Sequence, residues 1–112
     1  MIDSYGFGRI VIDGESYSSD VVIYPNRVDG NWWRKEGHSL HIEDLSEIVE
    51  ESPEVLVLGT GDPGLLKVRP EADALLRSKG IELIAEPTKR ACERYNELSK
   101  TKKVIAALHL TC

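Results

Sequence analysis

Four groups of residues in this chain have types and spacing that could do chemistry. The richest is Gly59-Thr60-Gly61-Asp62-Pro63-Gly64, which follows directly on the apolar run Val55-Leu56-Val57-Leu58. In open α/β sheets, ligands settle beyond the carboxyl ends of the strands, where this loop would begin. Glycines let a ligand approach the backbone and expose amides able to hold an anion. The run contains neither a GxGxxG nor the Gly-Lys-Ser/Thr of a phosphate loop, and Asp62 would repel a phosphate. Tight turns account for the same glycines and are the stronger reading. If a ligand does bind, Gly59, Thr60 and Gly61 form one wall and Thr88 with Arg90 the second. Glu86-Pro87-Thr88 follows the neighbouring parallel strand, and the start of a helix favours negative charge.

His38, His41, Glu43 and Asp44 carry atoms that metals accept. Their His-x-x-His spacing suits neither the i, i+4 face of a helix nor alternate positions on a strand, and the further ligands of a closed site are missing. No metal or other cofactor is expected. His38 reads as a loop residue after Gly37, and Asp44 as part of a helix N-terminus. His109 and Cys112 invite a cysteine–histidine nucleophile, but the sequence offers them no obvious orienting acid. No catalytic residue is assigned, and the balance leans away from an enzyme.

Trp32-Trp33-Arg34 is the most unusual triplet. On a strand, neighbouring side chains point to opposite faces, so one tryptophan can enter the core while the other faces outward. An outward tryptophan beside an arginine is the composition of a binding hot spot. The plainer alternative is a tryptophan that covers a sheet edge or an adjacent loop. All three residues are carried forward as an interaction surface.

The composition narrows the classes of partner. A chain of 112 residues with 41% hydrophobic and 29% charged residues is the size and make-up of one globular domain with a real core. A net charge of −5 argues against nucleic acid, which needs clustered Lys and Arg. The basic residues Lys100, Lys102 and Lys103 have Glu93 and Glu97 just upstream, as on a solvated helix end. No apolar run approaches the ~20 residues that span a bilayer. Met1 to Gly8 resembles neither a signal nor a transit segment. The expectation is therefore a soluble, cytoplasmic protein without membrane or nucleic-acid partners, monomeric or homodimeric. The two cysteines, Cys92 and Cys112, read as buried or half-buried thiols, being too few for a disulfide framework.

The elements that must position these residues fall into two halves. Residues 1 to about 42 carry β-branched and aromatic runs broken by turns. Arg9-Ile10-Val11-Ile12 meets the hairpin signal Asp13-Gly14, and Val21-Val22-Ile23-Tyr24 is halted by Pro25-Asn26. Asp29-Gly30 then gives a turn before Trp32. This half predicts two or three antiparallel strands and a loop, with no helix. From residue 43 the pattern changes. Leu45, Ile48 and Val49 form the stripe of a helix over Glu43 to Glu51, and Ser52-Pro53 ends it. Val55–Leu58 is a strand buried on both faces. Pro70 opens a helix with Ala72, Leu75 and Leu76 inward, closed by Gly80. Ile81–Ile84 writes a strand. Thr88 is the expected N-cap of a helix with Ala91, Tyr95 and Leu98 on one face, and Val104–Leu110 is a last strand. The result is α/β: a three-layer single domain over 1–112. Its mixed sheet has a C-terminal parallel β-α-β-α-β portion, and N-terminal antiparallel hairpin strands extend or cover it.

Several of these residues together are familiar. Gly59-Thr60-Gly61, Gly80-Ile81-Glu82, Pro87-Thr88, Tyr95-Asn96 and Ala106-Ala107-Leu108-His109-Leu110-Thr111-Cys112 resemble the Mth-type domain family, as do Trp33-Arg34 and Gly37-His38 earlier in the chain. The resemblance runs over nearly the whole length in the same order of elements. That family includes the adipogenesis-associated Mth-domain protein and a mitochondrial assembly factor of NADH dehydrogenase. It implies a three-layer α/β fold and supplies no catalytic residues. The resulting expectation is a non-catalytic interaction or assembly module with Trp32, Trp33 and Arg34 at or near a contact surface. The alternative is a small-molecule binder or enzyme using Gly59, Thr60, Gly61, Thr88 and Arg90.

Overall fold

Val55–Gly59 is buried along its whole length and forms β7, an inner strand of a five-stranded sheet. The computed structural model describes residues 1–112. The first half forms β1 (Ile2–Gly6), β2 (Arg9–Ile12), β3 (Glu15–Tyr17), β4 (Val21–Tyr24), β5 (Arg27–Asp29) and the short β6 (Ser39–Leu40). A 3-10 turn over Ile42–Leu45 leads into α1 (Ser46–Glu50). After β7 come β8 (Lys67–Val68), α2 (Pro70–Ser78), β9 (Glu82–Glu86), α3 (Thr88–Leu98) and β10 (Val104–Leu108).

The central sheet has the order β5-β4-β10-β7-β9. Strands β10, β7 and β9 are mutually parallel, with β4 and then β5 added antiparallel. This is the expected β-α-β-α-β portion extended by one N-terminal hairpin. The other N-terminal strands, β1-β2-β3, form a separate antiparallel sheet. Alternate residues of the central strands supply two cores. Val55, Val57, Ala106 and Leu108 pack with Ile2, Ile10 and Ile12 of the small sheet and with Ala91 and Tyr95 of α3. Leu56, Leu58, Ile105 and Ala107 pack on the other face with Leu45, Ile48, Ala72 and Leu76. The layers therefore number three, as the sequence predicts. Each fully buried Val or Leu stabilises by roughly 1.5–3 kcal/mol, and β7 places four in the cores.

Several local expectations hold. Pro70 is the first residue of α2, and Gly80 adopts the left-handed conformation just past it, with φ 71°. Asp13 and Gly14 both take positive φ between β2 and β3, the geometry of a tight hairpin turn. Other expectations are corrected. The first half holds five strands before residue 30, more than predicted, because the alternating polar residues of β1, β3 and β5 mask their partners. Gly30 bends the chain at the end of β5 and does not connect two strands. The helix predicted over Glu43–Glu51 divides into the 3-10 turn and α1, although Leu45 and Ile48 are buried as expected. Pro87, not Thr88, caps α3.

The small sheet is tied to α3 by one side chain. Asn96 accepts a hydrogen bond from Ile2 N and donates one to Ile2 O, both at 2.8 Å. Tyr5 Oη adds a 3.0 Å bond to Leu110 O. Asn96→Ala leaves a part-buried donor and acceptor at the sheet edge, and each unmet group costs about 1–3 kcal/mol. The expected result is a matching loss of stability by urea denaturation, with accelerated amide exchange confined to β1 and β2.

Candidate functional site

At the carboxyl end of β7, the glycine loop spends its amides within the chain. Thr60 N donates to Glu86 O at 2.9 Å, Gly61 N to Thr88 Oγ1 at 2.8 Å and Asp62 N to Thr111 O at 2.8 Å. Leu65 N and Leu66 N are bound to Cys112 O and Thr60 O. Thr88 is fully buried, and its hydroxyl donates to His109 O while accepting from Gly61 N. It therefore staples the start of α3 to the loop and to the segment after β10. A Cβ on Gly59 would stand 2.8 Å from Thr88 Oγ1, and one on Gly61 would meet the Thr111 carbonyl. Close packing accounts for both glycines. A cleft of about 440 Å³ does open beside them, between the β1–β2 turn and α3. Gly61 and Arg90 line it with Phe7, Asp62, Lys89 and Glu93, whereas Gly59, Thr60 and Thr88 do not. Arg90 is exposed and stands within 4 Å of Glu86 and Glu93.

Trp32, Trp33 and Arg34 lie on an irregular segment and not on a strand, yet the two tryptophans still point opposite ways. Trp32 is 9% exposed and Trp33 79%. The Arg34 side chain is buried, only 5% exposed, beneath the segment that carries Trp33 outward. The guanidinium Nη2 lies 2.9 Å from Asp20 Oδ2. Nε and Nη2 donate to Gly37 O, and the group stacks 4.7 Å above the Trp32 ring. Asp20 also accepts from Leu110 N at 2.7 Å and from His109 Nδ1 at 2.8 Å. An imidazole nitrogen that close to a carboxylate carries its hydrogen, so Nδ1 is the donor. Arg34 Nη2, 3.2 Å from the same nitrogen, is then a packing neighbour and not a second hydrogen bond. Burial pushes the Asp20 carboxyl upward, but hydrogen bonds from His109, the Leu110 amide and Arg34 outweigh it and hold it below the usual range.

The cluster fixes the backbone that carries Trp33. Trp32 N donates to Asp20 O at 2.9 Å, Asn31 N to Asp29 Oδ1 at 3.0 Å and Lys35 N to Asp44 Oδ1 at 2.9 Å. Trp33 thus stands exposed on a segment held on both sides. Asp20 is the residue that sequence reasoning missed. It lies 89 positions from His109, and its only local signal is an acid set immediately before a buried strand.

The other histidines are engaged locally. His41 Nε2 is 2.6 Å from Glu36 Oε1, Asp44 accepts from the His41 and Lys35 amides, and Glu43 pairs with Lys35. His38 stands edge-on to His109 with ring centres 5.7 Å apart, and Cys112 Sγ is 3.9 Å from His38 Nε2. Asp20 supplies His109 with the orienting acid that the sequence did not reveal, while the thiol faces the other imidazole. Cys92 lies on the buried face of α3, and burial, with Glu93 adding to it, pushes its thiol up to about 12. Cys112 is half-buried. With an aromatic disulfide reagent at pH 8, one thiol is expected to react in the native protein and the second only on unfolding. Two fast thiols would contradict the packing of α3.

Comparison with known proteins places this geometry. The family described as "Protein of unknown function (DUF498/DUF598)" matches residues 2–109. The solved structure of the conserved hypothetical protein PH1505 from Pyrococcus horikoshii OT3 is 33% identical, covers 100% of this chain and 99% of that one, and superposes with a TM-score of 0.87. A Bordetella pertussis protein described as a Mth938-like domain shares the fold at 20% identity, with 98% and 85% of the chains covered and a TM-score of 0.71. NADH dehydrogenase (ubiquinone) 1 alpha subcomplex assembly factor 3 of Xenopus tropicalis is 27% identical over 108 residues, 95% of this chain. The chain spans 58% of the length of that curated relative. No helix is long and apolar enough to cross a membrane.

Proposed function

The chain belongs to the DUF498/DUF598 family, of Mth-type fold, and from that premise we propose that it is a non-catalytic protein-interaction or assembly module, working in the cytoplasm. One observation carries the reading: Trp33 is 79% exposed on a segment whose neighbours on both sides are pinned to the body of the protein. Large aromatics in fixed positions dominate protein interfaces, because little conformational entropy is lost when they bind. The similarity to an assembly factor supports the same class of role. Trp33 is the contact residue, and Trp32, Arg34 and Asp20 hold it in place. Acrylamide quenching tests this in a complex purified by affinity capture on the wild-type chain. Free protein should show one accessible and one shielded indole, and the complex should protect the accessible one. An accessible indole quenched equally in the complex would refute the reading.

A second reading rests on the cleft beside Gly61 and Arg90. Its volume of about 440 Å³ falls within the range of small-molecule sites. Against it, charged side chains make up much of the lining, and the loop amides are already bonded. A metabolite bound at a hundred times its dissociation constant would raise stability by about 2.7 kcal/mol. A saturable thermal shift lost in Arg90→Ala would promote this reading, and a flat metabolite screen would remove it.

A further inference from the structure

The surroundings of Trp33 specify the chemistry of what it meets. The indole borders two shallow clefts. One, of about 180 Å³, is lined by Tyr24, Asp29, Glu43, Asp44 and Glu47 together with the two tryptophans. The four carboxylates face few cations of the chain itself. Glu43 is bridged to Lys35 at 3.2 Å, and Glu47 lies 3.7 Å from Arg27, which is shared with Glu51. Asp29 and Asp44 are bound only to backbone amides. Lys35, Arg27, Glu43 and Glu47 all have exposed side chains, so these pairs are loose and can exchange partners. The Tyr24 phenol lines the same cleft. Burial first, then Glu47, with Asp29 and Glu51 adding and Arg27 opposing, pushes it up to about 12.

We propose that the Trp33 face receives a protein segment in which Lys or Arg residues flank an apolar side chain, the apolar group packing on the indole and the cations meeting Asp29, Glu43 and Glu47. This rests on the interaction reading above and names the class of its partner. Asp29 and Asp44 have no cation of the chain bridged to them, and Glu43 and Glu47 have only exposed, exchangeable ones. The occupant is basic because a neutral or acidic segment would bury carboxylates that are incompletely neutralised, which is costly. An arginine of the partner can also stack on the exposed indole face, as Arg34 does on Trp32.

The test uses intrinsic fluorescence and two synthetic decapeptides, one alternating Arg with Leu and one alternating Glu with Leu. The Arg–Leu peptide is expected to shift the emission to the blue and to saturate, with affinity that falls as salt is raised. Trp33→Ala should abolish the shift. The double variant Glu43→Gln with Glu47→Gln should weaken binding about three- to tenfold, as the loss of two exposed ion pairs allows. The proposal is overturned if the Glu–Leu peptide binds equally well, or if the double variant binds Arg–Leu unchanged. It is also overturned if sedimentation shows a dimer that Trp33→Ala dissociates, since a second copy then covers the face. A captured partner that protects Trp33 yet ignores the Gln double variant leaves the interaction reading standing and removes only the basic class.

Discussion

Replacing Arg34 with alanine is expected to lower stability by about 3–5 kcal/mol. The side chain is nearly inaccessible, and its removal leaves Asp20 without its arginine, Gly37 O without its donor and Trp32 without its stacked neighbour. Urea denaturation of Arg34→Ala measures the loss directly. Arg34→Lys is expected to fall between the two, because one ammonium cannot reproduce a fork that reaches Asp20 and Gly37 together. A cost below about 1 kcal/mol, the value of an exposed ion pair, would contradict the assignment. Asp20→Asn adds a pH signature. A carboxylate whose pKa is depressed by folding contributes stability that is full above its unfolded pKa, near ~3.9, and lost as pH falls through the folded value. The gap between wild type and Asp20→Asn should be widest at neutral pH and close progressively below about pH 4.

Trp33→Ala is expected to behave in the opposite way. Its side chain is mostly in solvent, so stability should change by no more than about 0.5 kcal/mol. Binding to a protein partner should weaken by about 2 kcal/mol or more, roughly thirtyfold, as for a central hot-spot residue. Trp32→Ala separates the two roles, since that ring is packed under Arg34 and its loss should act on the fold.

The arrangement assigns the buried cluster a geometric task. Arg34 Nη1 and His109 Nε2 are buried without partners among the protein's own atoms, so the cluster is not an optimised source of stability. It joins residues 20, 34 and 109–110 and thereby fixes the segment that bears Trp33.

What the sequence could express, it expressed through periodicity. The unbroken apolar runs of β7 and β10 required a sheet covered on both faces, and Pro70 with Gly80 bounded α2. The opposite orientations of Trp32 and Trp33 followed from simple alternation and survive off a strand. The burial of the Arg34 side chain is not legible in the sequence because it depends on Asp20 and on His109, the latter 75 positions away, which are brought together by the β4–β10 pairing. Thr88 looked like a cap because its position fits one, but its hydroxyl is drawn to His109 O by the same closure of the sheet. Charge and hydropathy patterns carry local geometry, whereas a buried polar cluster is a property of the assembled layers. The cleft beside Arg90 is likewise formed by the β1–β2 turn, whose docking rests on Asn96 and Tyr5.

The most direct test of the account is the affinity of a co-purifying partner for Trp33→Ala, measured by titration calorimetry after urea denaturation has verified wild-type stability. The account predicts a stable variant whose affinity is at least about thirtyfold weaker. A stable variant that binds with wild-type affinity would contradict it and leave the exposed tryptophan without a role in recognition.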